Sequence, residues 1–378
     1  MSAATLLGSS RGALTRFEIQ PILAPTLPDV AGFLFSYAHR DQSPANERPL
    51  REDLLSTARY LRWLFVENPL AAPTSQHGLC ICDASGVIRG LLLSFPHAFL
   101  AGDQRLVGLG SGGYFVEPQA RTTGFYLFKR HLSAPDYSFF FSTTCNFNSG
   151  ALWKTLGGRA VPNSDMEYIV PFKLEVLLPA LLAKKTSSVS AANIARVAGR
   201  WANRVFRPRT RNSTKLRIEP CRDWEKLAAL FRRHRDADVM TTDRSAVFLQ
   251  WRYGWNAPNQ PFDIRMFRDT RGHEGWFALG SVTRGRQGQI RGCVLLDAVW
   301  PRETMSFETI LPAILQVAAS RADALYFRSR PGLTSGECGR RAVPWRLEGP
   351  KGFVISRKGA PVAVSALDLV PADGDGAF

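Results

Sequence analysis

The sequence predicts an α/β protein built from two consecutive units, each a mixed, mostly antiparallel sheet flanked by helices. Three observations carry that reading. Strand-like and helix-like apolar spacings alternate along the chain instead of segregating. A chain of 378 residues exceeds one ordinary core. Leu61-Arg-Trp63-Leu-Phe65-Val-Glu-Asn68-Pro69 is echoed by Leu249-Gln-Trp251-Arg-Tyr253-Gly-Trp-Asn256-Ala-Pro258, each at the end of the second helix of its half.

In the first half, Arg16–Ile22 alternates like an edge strand and Leu27–His39 has helical spacing. Pro49 opens a long amphipathic helix, Leu50–Val66, which stops before Pro69. Strands Gly78–Asp83 and Val87–Phe95 flank an Ala-Ser-Gly hairpin turn. The glycine-rich apolar run Leu106–Val116 is a further strand, followed by a tight turn and a helix, Phe125–Leu132. Tyr137–Cys145 is an aromatic strand expected to be buried on both faces. Helix Asn148–Leu156 ends at Gly157-Gly158, and Glu167–Phe172 is expected to close the unit as its last strand.

The turn after Val116 has the chemistry of a phosphate cradle. First-turn amides of a helix lack intrahelical partners and the helix dipole favours an anion there. Gly124 permits close backbone approach, and Arg121 supplies a forked cationic donor. Val116-x-Pro118-x-x-Arg121-x-x-Gly124 resembles the coenzyme A pyrophosphate loop of the GNAT (Gcn5-related N-acetyltransferase) superfamily, with Tyr126 where that family prefers Gly or Ala. Asn146-Phe-Asn148-Ser-Gly-Ala-Leu152-Trp-Lys-Thr-Leu156-Gly157-Gly158 resembles the helix that follows in the same family. The element order matches that fold, and the Leu-x-Trp-x-aromatic echo resembles bacterial proteins with two such domains in tandem.

The resemblance implies direct transfer from acetyl-CoA or another acyl-CoA to an amine or hydroxyl of a small molecule or a cell-envelope or polysaccharide precursor. It assigns CoA contacts to Val116, Arg121, Thr122, Thr123, Gly124, Phe125 and Tyr126, with Asn148 on the pantetheine. Its usual general-acid tyrosine is replaced by Trp153, whose N–H is no acid near neutral pH. Glu117 and Tyr114 are therefore the catalytic candidates, with His97 and Cys145 as further ones beside predicted strands. No Ser–His–Asp order, H-E-x-x-H or Walker loop occurs, so neither covalent catalysis nor a metal is expected.

The interval 174–215 differs in character. Arginines surround Ile194, Val197, Trp201, Val205 and Phe206 at helical spacing, and Lys184, Lys185, Arg207, Arg209, Arg211 and Lys215 add charge. Such a helix either packs its apolar stripe between domains or lies on an anionic membrane. The second half repeats the plan. Strand Leu216–Glu219 leads to helix Trp224–Arg235, capped by Asp223, and then to helix Phe248–Trp255. Strands Phe262–Arg268, Gly275–Thr283 and Gln289–Val299 precede helix Phe307–Arg321 and strand Ala324–Ser329. After Leu295-Leu-Asp-Ala-Val-Trp-Pro301 the cradle is absent and Glu303 intrudes, so this copy is expected to bind no CoA. Lys351–Lys358 should end the structured part.

The expected organisation is thus a flexible N-terminus at 1–15, a CoA-binding unit at 16–173 and a basic linker at 174–215. A degenerate unit at 216–360 and a flexible tail at 361–378, including Pro371–Phe378, complete it. Six scattered cysteines, among them Cys80 and Cys82 on one strand face, suit a reduced compartment. Met1–Arg16 lacks the apolar core of a signal peptide and no segment is long enough to span a membrane, so the expectation is cytoplasmic, with a membrane-peripheral option. The net charge of +16 calls for an anionic partner, for which an anionic membrane surface through 184–217 is favoured over nucleic acid. A non-catalytic acyl-CoA-binding or scaffold protein is the alternative.

Overall fold

Strand β1 (Glu18–Pro21) and helix α1 (Leu27–Arg40) open the first unit, followed by α2 (Leu54–Leu61), which runs on as a π-type turn through Arg62–Val66. Strands β2 (Gly78–Cys82), β3 (Ile88–Ala101) and β4 (Gln104–Val116) form a meander; α3 (Arg121–His131), β5 (Phe139–Ser142), α4 (Phe147–Thr155), β6 (Arg159–Ala160) and β7 (Met166–Pro171) follow. Helices α5 (Leu174–Leu182) and α6 (Val189–Phe206) lead to β8 (Arg217–Pro220), α7 (Trp224–His234), β9 (Met240–Thr242) and α8 (Ala246–Gly254). Then come β10 (Asp263–Arg268), β11 (Glu274–Arg284), β12 (Ile290–Val299), α9 (Phe307–Ala319), β13 (Ala324–Arg328), β14 (Val343–Arg346), β15 (Phe353–Ser356) and β16 (Leu367–Asp368). The computed structural model describes residues 17–40, 54–72, 75–182, 189–206, 216–254, 262–285, 288–329, 342–357 and 362–374. The expected N-terminal segment 1–15, Pro49, Lys184, Lys185 and residues 207–215 lie outside them. Among the described residues no helix is long and apolar enough to cross a membrane.

The two sheets are mixed, as expected, but they do not divide the chain at the linker. The first runs β1-β2-β3-β4-β5-β15-β6, with β9 pairing the far end of β3 and β16 pairing β9. The second runs β14-β7-β13-β12-β11-β10-β8. Strand β7 therefore does not close the first unit: it pairs antiparallel with β13 of the second, Ile169 opposite Tyr326. In return β15 pairs antiparallel with β5, Ile355 opposite Phe140. The reason lies in side-chain fit. Tyr168 stacks on Phe327 at 5.2 Å, and Phe353 stacks on Trp153 beneath the first sheet. The boundary at 173 thus separates neither sheet, and residues 351–358 do not merely end the fold but complete its first sheet.

Helices α3 and α4 cover one face of the first sheet, where Leu127, Phe128 and Trp153 pack over Leu92, Leu109, Phe140 and Phe353. Helix α9 covers one face of the second, and Leu177 and Ala180 of α5 pack on Ala324 and Tyr326 of the other. Between the sheets lies one shared core from α1, α2, α7 and α8. At its centre the echoed tryptophans meet: Trp63 stacks on Trp251 at 5.3 Å. Each indole N–H donates to the other residue's carbonyl, at 2.8 Å and 2.9 Å, so both polar edges are satisfied inside an apolar core. His97 sits beside them, ringed by Phe95, Phe141, Phe248 and Trp251. Burial, with help from Arg252 and Arg244, holds its pKa well below the usual imidazole value.

The end of the chain departs most from expectation. Strand β16 and a 3-10 turn at Pro371–Asp373 are built into the fold, and Val362, Leu367, Val370 and Asp373 are buried; of the expected tail, 361 and 375–378 lie outside the described residues. Arg244 explains the anchorage. Its Nε donates to Asp297 at 2.6 Å and its Nη1 lies 3.0 Å from Asp373, while Arg252 donates to the Gly374 carbonyl at 2.9 Å. Burial opposes the charge on Arg244, but the two carboxylates outweigh it and raise its pKa. Removing Asp373 costs Arg244 one of its two carboxylates and leaves the Val370 amide without its acceptor inside a buried site. Asp373→Ala is expected to lower unfolding free energy by about 3–5 kcal/mol, measured by urea denaturation.

The histidines make a second prediction. His97 and His131 are both buried, and burial alone pushes His131 down to about 3. Below pH 6.5 the unfolded chain takes up protons that these folded imidazoles refuse, so stability falls as pH falls. Each contributes a slope approaching about 1.4 kcal/mol per pH unit. Melting temperature should drop between pH 6.5 and 5, and less steeply in His97→Phe.

Candidate active site

Strands β4 and β5 are parallel neighbours only over Gly108–Gly110 and Phe139–Phe141. Packing explains the close start: a Cβ on Gly108 would strike the Phe139 ring, and one on Gly110 the rings of Phe95 and Phe141. Beyond that, β4 is deflected by a bulge. Leu93 pairs with Gly112 and Leu91 with Phe115, so Gly113 and Tyr114 together oppose Leu92. Gly113 takes φ +56°, which glycine adopts without strain. From Ser111 to Val116 strand β4 runs on while β5 ends at Ser142, so this edge of β4 has no paired strand among the described residues, a gap beyond the end of β5.

Backbone alternation aims Val116 into that gap. Glu117 N–H donates to the Arg89 carbonyl on β3 at 2.9 Å, which makes Glu117 and Arg89 a hydrogen-bonded pair. Val116, opposite Gly90, is then the intervening non-hydrogen-bonded pair, and its N–H and carbonyl turn away from β3.

The turn Pro118–Ala120 leads directly into α3, whose cap residue Ala120 offers no side-chain acceptor to the first-turn amides. Arg121, Thr122, Phe125 and Tyr126 are exposed around this end, Thr123 is half-buried and Gly124 is buried. Gly124 is the contact between helix and strand. A Cβ there would lie 2.8 Å from the Tyr114 hydroxyl and 3.1 Å from the Val116 methyls. The structure thus brings Tyr114, Val116 and Gly124 together at the root of the gap. Tyr114 packs edge-on against Phe128 at 5.8 Å, and burial raises its pKa.

Other candidates are placed differently. Glu117 is held by Gln119 and by Arg89, whose Nη1 lies 3.4 Å away and whose Nη2 lies 2.7 Å from Asp83. Asn148 is exposed on α4, across the gap; the cap there is Asn146, which accepts from the Ser149 amide at 2.9 Å. Trp153 faces the core beneath α3, not the gap. Cys145 is buried, and His97 belongs to the seam between the units. Among the described residues no three His, Cys, Asp or Glu side chains could share a metal ion. Sequence reasoning missed Ser111, Thr143 and Arg328. Ser111 donates to the Phe141 carbonyl at 3.4 Å at the point of divergence. Arg328 of β13 donates to the Thr143 carbonyl at 2.6 Å, beside a cleft that Ser164, Gly352, Leu367 and Leu369 also line. Only the strand exchange brings Arg328 there, and no local pattern announces it.

The second unit keeps the plan without the gap. Strands β12 and β13 pair in parallel over Gly292–Val294 and then diverge, and Leu296 bulges. Asp297 follows that bulge on the shared-core face of β12, where it accepts from Arg244 Nε at 2.6 Å, whereas Tyr114 lies on the face of β4 that α3 covers. The C-terminal turn packs onto β12 there through Asp373 and Arg244, and its Gly374 lies against the Thr143 hydroxyl just beyond β5.

No protein-family model matches the chain, and no curated protein does. Solved structures do. Yeast (Saccharomyces cerevisiae) N-myristoyltransferase with bound myristoyl-CoA aligns over 93% of this chain and 78% of its own, with TM-score 0.55 and 11% identity. A GCN5-related N-acetyltransferase from Anabaena variabilis aligns over 90% and 72%, with TM-score 0.52 and 11% identity. A probable N-acyltransferase from Enterococcus faecalis covers the same shares, with TM-score 0.52 and 10% identity. These likenesses show that the chain has the fold of the GCN5-related N-acetyltransferases.

Proposed function

We propose that the chain is an acyl-CoA-dependent acyltransferase with a single active site, the gap between β4 and β5. The observation that carries this reading is the convergence of the Val116 N–H, the Gly124 close approach and the uncapped start of α3 beside Arg121 on one open edge. A pyrophosphate fits there: amides from Arg121 to Tyr126 meet its oxygens, the helix dipole favours its charge and Arg121 adds a cation. The pantetheine arm runs along the exposed edge of β4 past Asn148, and Val116 N–H polarises the thioester carbonyl. The acceptor amine or hydroxyl enters from the cleft beside Thr143 and Arg328.

For proton handling, Tyr114 is better placed than Glu117. Its hydroxyl shares the root of the gap with Val116, and its raised pKa keeps it protonated, as a donor to the departing thiol must be. Glu117 is committed to Arg89 and Gln119 and orients the loop. Cys80, Cys82, Cys145 and Cys293 are buried free thiols, which suits a reduced, cytoplasmic setting. The acceptor class, a small molecule or envelope precursor, follows from the resemblance.

Titration calorimetry with acetyl-CoA is expected to give one site per chain. Gly124→Glu should abolish binding, because a carboxylate would displace α3 and repel the pyrophosphate. Arg121→Ala should weaken it about 10- to 100-fold. Unchanged affinity in both variants would move the site elsewhere. In a thiol-release assay with an amine panel, Tyr114→Phe should lower kcat about 100-fold or more with KM for acetyl-CoA little changed. Binding without turnover by the wild type on any acceptor would instead support a scaffold.

A further inference from the structure

We propose that α6 is a docking helix for an anionic phospholipid surface. Its inner face is already used. A Cβ on Gly199 would lie 2.6 Å from the Glu175 backbone, so α5 and α6 touch main chain to main chain. The Leu174 amide donates to Asn203 at 3.0 Å, and α5 in turn packs on the second sheet. Helix α6 is therefore an outer layer, seated through Ala195 and Gly199.

What it turns outward is apolar. Ile194, Val197 and Trp201 are 71%, 54% and 64% exposed. Their i, i+3, i+7 spacing places them within about 60° of one another and more than 90° from the seated face. Of the two packings open to this stripe, the exposure of these three side chains favours the one that faces outward. Arg196 and Arg200 are exposed on its flank, and no acidic residue lies between Glu175 and Glu219, an interval with ten lysines and arginines. On the sheet face that α5 covers, Trp345 stands opposite Glu167 and is exposed as well.

Apolar side chains around a tryptophan, bordered by arginines on a helix that carries no acid of its own, match the boundary between acyl chains and anionic headgroups. Nucleic acid would reward the arginines but leave Ile194 and Val197 in water.

The test is flotation of the full chain with vesicles of phosphatidylcholine alone or mixed with phosphatidylglycerol, read alongside tryptophan fluorescence. Binding to the anionic vesicles, weakened by salt and accompanied by a blue shift, is expected. Arg196→Gln/Arg200→Gln should reduce partitioning about 25-fold, about fivefold per cation. Ile194→Ser/Val197→Ser/Trp201→Ser should reduce it at least about 100-fold, with circular dichroism and acetyl-CoA affinity unchanged. The proposal is overturned by absence of binding to anionic vesicles or by equal binding of both variants. It is also overturned if the serine variant dissolves a dimer seen by sedimentation, or if duplex DNA is bound with the serine substitutions having no effect. None of these results bears on the acyl-CoA site.

Discussion

Neither half of this chain can close its own sheet. Strand β5 is flanked by β4 from its own unit and by β15 from the far end of the sequence, and β13 is flanked reciprocally by β12 and β7. Each exchange buries an aromatic stack, Phe353 on Trp153 and Tyr168 on Phe327, so neither strand can be withdrawn without opening a core. The Trp63–Trp251 pair lies on the pseudo-twofold seam that results. Its reciprocal indole bonds require both helices to hold their positions, which couples the shared core to both sheets. The two units should therefore unfold as one, not as consecutive domains.

That symmetry makes the differences informative. Both copies retain the bulge and the divergent parallel strands, features that cost ladder hydrogen bonds and contribute little to stability. In the second copy the loss is made good by the C-terminal turn and by the Arg244–Asp297–Asp373 contacts. In the first copy the adjoining helix begins without a side-chain cap. A gap left open against the tendency of proteins to satisfy backbone groups is where a ligand is expected to supply the missing partners.

The parts legible in the sequence were those with local physical causes. Proline, arginine and glycine at fixed spacing announced a strand-turn-helix, and the Leu-x-Trp-x-aromatic echo announced a duplication whose two tryptophans prove to touch. The alternation that placed Cys80 and Cys82 on one face holds, with their sulfurs 3.8 Å apart. What was illegible depended on partners remote in sequence. The pattern Met166–Pro171 specifies a strand but not which sheet receives it, and an acidic, alanine-rich terminus reads as a tail until Arg244 is seen to need Asp373. The role of Trp153 was hidden for the same reason: its position suggested a substituted catalytic residue, whereas its ring is the platform for a strand arriving from residue 353.

The distribution of titratable groups then limits the chemistry the gap can support. His97 and His131 are sealed and neutral, with His131 Nδ1 taken by Ser94 at 2.9 Å. Glu117 answers to Arg89. None of these can exchange protons with a ligand in the gap without breaking a contact that the fold uses. Tyr114 is different: its ring is anchored by Phe128 while its oxygen reaches Gly124, where helix and strand are closest. A phenol so placed can give a proton but cannot readily accept one at neutral pH. Under the proposed acyl transfer the acceptor must attack before it gives up its proton, which the free base of an amine can do and a neutral alcohol does only poorly.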